Sequence, residues 1–115
     1  VQYMLLVYWT EAEHAAASDG QKAESFAAYT AYAEVLRQSG ALVTSAGLQP
    51  SSTATVVRAP DSRPALWDGP YVESKEQLGG YFVIDVPDLD AAIAWAVRCP
   101  GAQRYAVEVR PLMVY

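Results

Sequence analysis

The sequence holds one cysteine and one histidine among 115 residues. Cys99 alone excludes an intrachain disulfide and any multi-cysteine metal site, and His14 alone excludes a multi-histidine metal site within one chain. Long hydrophobic runs are also missing. The longest nearly unbroken one, Val1 to Trp9, is about half of what a membrane span needs. It lacks the basic segment and cleavage site of a signal peptide. These absences predict a cytoplasmic protein with no membrane partner. Positive charge is scarce: 8 Lys and Arg face 13 Asp and Glu, for a net charge of −5. Nucleic-acid affinity rests largely on basic charge facing phosphates, so no nucleic-acid partner is expected. No Gly-rich phosphate loop, serine nucleophile elbow or zinc motif occurs, so neither a cofactor nor a metal is expected.

What the chain does have is apolar substance, 52% hydrophobic residues with 18% charged. That suffices for one core, and the length fits one domain spanning residues 1–115. Gln2 to Trp9 reads as a strand apolar on both faces, hence central in a sheet. Glu11 to Ala17 is short and alanine-rich, and its state stays open. Ser18 followed by Gln21 fits a capping box, which predicts a helix over 19–39 closed by Gly40. Phe26, Tyr29, Ala33 and Leu36 mark its expected buried stripe.

Ala41–Ser45, Thr53–Arg58 and Ala65–Trp67 read as short strands, and Asp68 to Gly80 as a loop. Tyr81–Val86 is the next strand. A second helix opens at the Asp88 cap with Leu89, Ile93 and Ala96 expected inside, and Trp95 expected off that stripe. Arg104 to Arg110 closes the sequence as a strand, with Arg104, Glu108 and Arg110 sharing one face. This order predicts an α+β, ferredoxin-like βαββαβ arrangement with an extra hairpin. Both helices would cover one face of an antiparallel sheet, leaving the other to be solvated, paired with a second subunit or part of a site; the spare apolar residues predict a homodimer.

Candidate chemistry concentrates in Asp68–Glu76, where Asp68, Glu73 and Lys75 lie among the hydroxyls of Tyr71 and Ser74. Carboxylates beside a lysine do acid–base work when burial tunes them. The competing reading is a tight Asp-Gly-Pro turn with solvated charges. The density of charge in this loop predicts that it borders the main cavity, with Glu73 or Lys75 turned toward it. Asp85 is the one charge of its strand, either a buried acid or an edge residue. His14 is a candidate base or a surface histidine in an alanine-rich connection. Arg110 is a candidate anion clamp or one half of an outer ion pair with Glu108. Trp9 is a candidate pocket wall or simple core. Cys99 reads as a buried, inert thiol.

The string Asp68-Gly69-Pro70-Tyr71-Val72-Glu73-Ser74-Lys75-Glu76 resembles the signature of the DGPF subgroup of the YCII-related family, usually worded Asp-Gly-Pro-Phe-Ala-Glu-Thr-Lys-Glu. Tyr3-Met4-Leu5-Leu6, Gly47-Leu48-Gln49-Pro50, Asp88-Leu89-Asp90 and Glu108-Val109-Arg110-Pro111 are similar to that family too. The resemblance implies a ferredoxin-like fold and a homodimer built by packing sheets. It also implies one of two roles. Some relatives are small cofactor-free lyases or dehydrohalogenases using a His–Asp pair, with the histidine in or near the first helix. Others accompany extracytoplasmic-function sigma factors, which implies an accessory or regulatory module with a protein partner. The expected helix over 19–39 carries no histidine, and His14 precedes its cap. The resulting expectation is a small organic ligand and acid–base chemistry, with the regulatory module as the alternative.

Overall fold

The computed structural model describes residues 1–115. Its frame is a four-stranded antiparallel sheet of β1 (Gln2–Trp9), β2 (Leu42–Gly47), β5 (Gln77–Asp85) and β6 (Val107–Pro111), ordered β2-β5-β1-β6. The helices are α1 (Glu11–Ala16), α2 (Asp19–Ser39) and α3 (Leu89–Arg98). Between β2 and β5 the chain makes a separate two-stranded hairpin, β3 (Thr55–Arg58) with β4 (Ala65–Asp68). An α+β fold with an antiparallel sheet is therefore as expected, and the arrangement is consistent with a ferredoxin-like one.

The central strand is β1, paired on both sides. Its alternate residues Tyr3, Leu5 and Val7 are buried, with Phe82 and Ile84 of β5, under Tyr32 and Leu36 of α2 and Ala92 and Ala96 of α3. Both long helices thus share one core on one sheet face. Met4 pairs with Val83 and with Arg110, and Leu6 with Tyr81 and with Glu108, all on the face that the helices leave uncovered. The ends of α2 form as the sequence predicts. Ser18 Oγ accepts from the Gln21 N–H, the Gln21 side chain accepts from the Ser18 N–H, and Gly40 takes the left-handed conformation at φ 82°. Asp88 caps α3 by accepting from the Ala91 N–H.

Four expectations need correction. Phe26 is 75% exposed, and the α2 stripe is completed by Tyr32 instead. In α3, Leu89 and Ile93 face outward, while Ala92 and Ala96 face in and Trp95 packs against the core. The alanines let the α3 backbone sit close to the sheet, a fit that larger inward side chains would prevent. The strand before α3 starts at Gln77, four residues earlier than Tyr81. Arg104 lies outside β6, just beyond a 3-10 turn over Pro100–Gln103, so it does not share a strand face with Glu108 and Arg110.

The radius of gyration is 16.0 Å, against about 13 Å for a compact domain of this length. The accessible surface is 7987 Å², against about 6,200 Å² expected for this mass. The β3–β4 arm adds to this exposed surface. It pairs with nothing but itself and exposes Val57, Leu66 and Trp67. Asp61 and Ser62 at its tip adopt positive φ.

The core holds two perturbed phenols. Burial pushes Tyr29 up to about 12 from 10.0, with Cys99 adding to the rise and the Gly101 N–H opposing it. Burial raises Tyr32 as well, and its hydroxyl donates to the Trp95 carbonyl at 2.6 Å. In the unfolded chain these phenols ionise near 10.0, before the folded ones do. The stability linked to their burial is thus complete below that value and falls as pH rises toward about 12. Urea unfolding should show a lower midpoint near about pH 11 than near about pH 8, and Tyr32→Phe should shrink the difference. Equal midpoints would count against this account of the core.

Candidate functional site

At the end of β1 the chain turns directly into α1, a six-residue helix with no buried side chain. Polar contacts on several sides hold it. Glu11 accepts from the Ser51 N–H and hydroxyl, both at 2.7 Å. Gln77 Oε1 accepts from the Glu11 N–H at 2.9 Å, and Gln77 Nε2 donates to the Ser74 carbonyl at 2.6 Å. Glu13 accepts from the Tyr105 hydroxyl at 2.5 Å and pairs with Arg104 at 3.2 Å. The hydrogen bond to Glu13 is the main reason that the Tyr105 phenol is raised. These contacts bring His14 over Trp9, with ring centroids 4.2 Å apart.

Two adjoining cavities share Trp9, His14, Ser25 and Tyr29 as walls. The first, about 700 Å³, lies between α2 and the β2–β5 side of the sheet. Its lining is mostly apolar, with Phe26, Leu48 and Phe82 beside Lys22. The second, about 760 Å³, is more polar and includes Glu13, Glu24, Arg104 and Tyr105. Each is of ligand-binding size. The His14 imidazole makes no hydrogen bond within the chain, so its ring nitrogens are available to a bound molecule.

The floor depends on two glycines, read from sequence as no more than a flexible approach to a strand. A Cβ at Gly79 would lie 2.7 Å from Trp9 Nε1, and one at Gly80 would lie 2.8 Å from the Ala46 carbonyl oxygen. The β1–β5 register shifts here, between Val7 and Tyr8. Trp9 can cross β5 because no side chain stands in the way.

The sequence-derived candidates divide sharply. Trp9 and His14 meet at the cavities, and the short helix left open by the sequence is what carries His14. Asp68, Tyr71, Glu73, Ser74 and Lys75 line neither of these two cavities and are exposed. The expectation that their loop borders the main cavity with Glu73 or Lys75 turned inward is therefore corrected. Asp68 ends β4, which pairs only with β3, so the loop starts from the projecting arm rather than from the main sheet. Gly69 takes φ 95°, as a tight turn requires, and Arg58 donates to the Tyr71 hydroxyl at 2.6 Å. Asp85 is an exposed acid on the uncovered face, 3.0 Å from the Val1 amino group. Arg110 is exposed and donates through Nε to Glu108 at 2.9 Å, the outer pair that its strand position suggested. Cys99 is fully buried and its thiol is pushed up by that burial.

Sequence reasoning missed Lys22, Tyr29 and Phe26 as cavity walls and the Glu13–Arg104–Tyr105 network. The available signals were the Gly79-Gly80 pair and the acids flanking His14.

The sequence matches the YCII-related domain over residues 1–115. The chain belongs to the YCII-related family. It is also similar to an uncharacterised protein of Rhizobium meliloti (strain 1021), 36% identical over 80 residues, which are 68% of this chain. The match covers 64% of that relative's length.

Gly79→Ala should displace the Trp9 ring, shift tryptophan emission and cost about 1–3 kcal/mol in denaturant unfolding. Gly47→Ala is the control, since nothing lies within 4 Å of its added Cβ. If the two variants behave alike, Trp9 is not held by the missing side chain.

Proposed function

We propose that this YCII-related chain binds a small organic molecule in the Trp9–His14 crevice and acts on it by cofactor-free acid–base chemistry of the lyase or isomerase kind. The observation carrying this reading is the imidazole stacked on Trp9, without a hydrogen-bond partner, at the wall shared by two ligand-sized cavities. The imidazole there takes a proton from the ligand at one carbon or heteroatom and returns it at another. Tyr29 stays a phenol below about 12 and serves as a neutral hydrogen-bonding wall. The wording of Asp68–Glu76 supports placing the chain in the DGPF subgroup. A metabolite screen by thermal shift, followed by assay of the hits, tests the activity. His14→Gln should keep ligand binding within about threefold and abolish turnover. Turnover unaffected by His14→Gln would remove the imidazole from the chemistry.

The functional unit in this reading is a homodimer. Its support is the surface excess of about 1,800 Å² per chain, together with the apolar side chains on the uncovered sheet face and the arm. An excess of that size suits an interface of standard or larger class. Asp68, Glu73 and Lys75 take part in chemistry only where a second copy's arm brings them over a cavity. Sedimentation at micromolar concentration should give a dimer. A clean monomer would instead favour the second reading, a regulatory module whose exposed Val57, Leu66 and Trp67 receive a protein partner, as in sigma-factor control.

A further inference from the structure

We infer that the apolar cavity takes a small monoanion, a carboxylate or sulfonate on a flat apolar body, with its charge received by Lys22 and its body against Phe26. This rests on the reading of the crevice as a ligand site and names the class of ligand. Three observations carry it. First, none of the 13 acidic residues lines this cavity, although the chain is net negative at −5. Second, Lys22 is the one lysine or arginine of the 8 that is not exposed. It forms no ion pair, whereas Arg37, Arg104 and Arg110 pair with glutamates and Arg58 and Arg98 stack on rings. Lys22 is thus a partly buried cation that no acidic side chain pairs with, and a bound anion would supply that partner.

Third, Phe26 is 75% exposed although it lines the cavity. Lys22 and Phe26 are four residues apart on α2, so cation and ring stand one turn apart on the same helix face. Thr30 follows at the next such step and Tyr29 beside it, so the ridge runs from one charge to uncharged side chains along the helix. A ligand with one negative end and a flat apolar remainder matches this ridge. A second negative charge would find no second lysine or arginine in this cavity. In the adjoining chamber it would meet Glu13 and Glu24.

Two fluorescent probes with the same ring system separate the possibilities: 8-anilinonaphthalene-1-sulfonate, an anion, and N-phenyl-1-naphthylamine, its neutral counterpart. The anion should bind at least about tenfold more tightly than the neutral probe, with added salt narrowing the gap. Lys22→Met should abolish the difference by weakening the sulfonate alone. Phe26→Ala, at an exposed position, should weaken both probes. Circular dichroism and melting temperature check that each variant is folded. Equal binding of the two probes, with Lys22→Met without effect, overturns the monoanion class while leaving a ligand site in place. Binding of neither probe, or binding that Phe26→Ala leaves unchanged, overturns the ligand site and this inference with it.

Discussion

The site depends on the close approach of Trp9 to β5. At the one place where β1 and β5 slip register, β5 carries Gly79 and Gly80. A side chain at the first would occupy the space of the indole, and one at the second would push against the β2 backbone at Ala46. Glycine weakens a strand interior. The cost is tolerated because β5 lies between β1 and β2 and is paired on both sides. Freed of side chains, this stretch lets Trp9 lie across the strand, and His14 then has a surface on which to stack. The crevice is shaped as much by what the sheet omits as by what it displays.

A second consequence follows from the one-sided core. Both long helices bury side chains against the same sheet face, α2 through Tyr32 and Leu36 but α3 mainly through the small Ala92 and Ala96. The larger apolar residues that this economy leaves over are displaced outward: Leu89, Ile93 and Val97 on α3, and Phe26 on α2. Phe26 differs from the others because it borders a cavity, which gives its exposure a use.

The strands, the two long helices, their caps and the shared core face were legible in the sequence because alternation, capping residues and glycine punctuation are local signals. The phase of the helices was not. In an alanine-rich helix the hydrophobic pattern points nearly all round, and weight given to large side chains selects Leu89 and Ile93 over Ala92, although Ala96 is buried as expected. The site was legible in part. Trp9 and His14 were singled out, but their meeting depends on a six-residue helix whose anchors lie 40 to 92 residues away in sequence. Lys22 carries no local motif, and its significance comes from its place in a cavity that no acidic residue lines.

The charged loop at Asp68–Glu76 gains a different meaning in this setting. Its charges stay in solvent, yet its end reaches the crevice through Gln77, which accepts from the Glu11 N–H and donates back to Ser74. That side chain ties the loop to the start of α1, and α1 carries His14. Ser51 and the Tyr105–Arg104 pair fix the same short helix from other directions. A helix with no buried side chain cannot hold its place by packing, so its position is set by these polar contacts. The unusual wording of the loop therefore bears on the site by positioning the imidazole, through a turn at Gly69 and a glutamine just beyond the charges. Charge density alone pointed to chemistry, whereas the hydrogen bonds point to support.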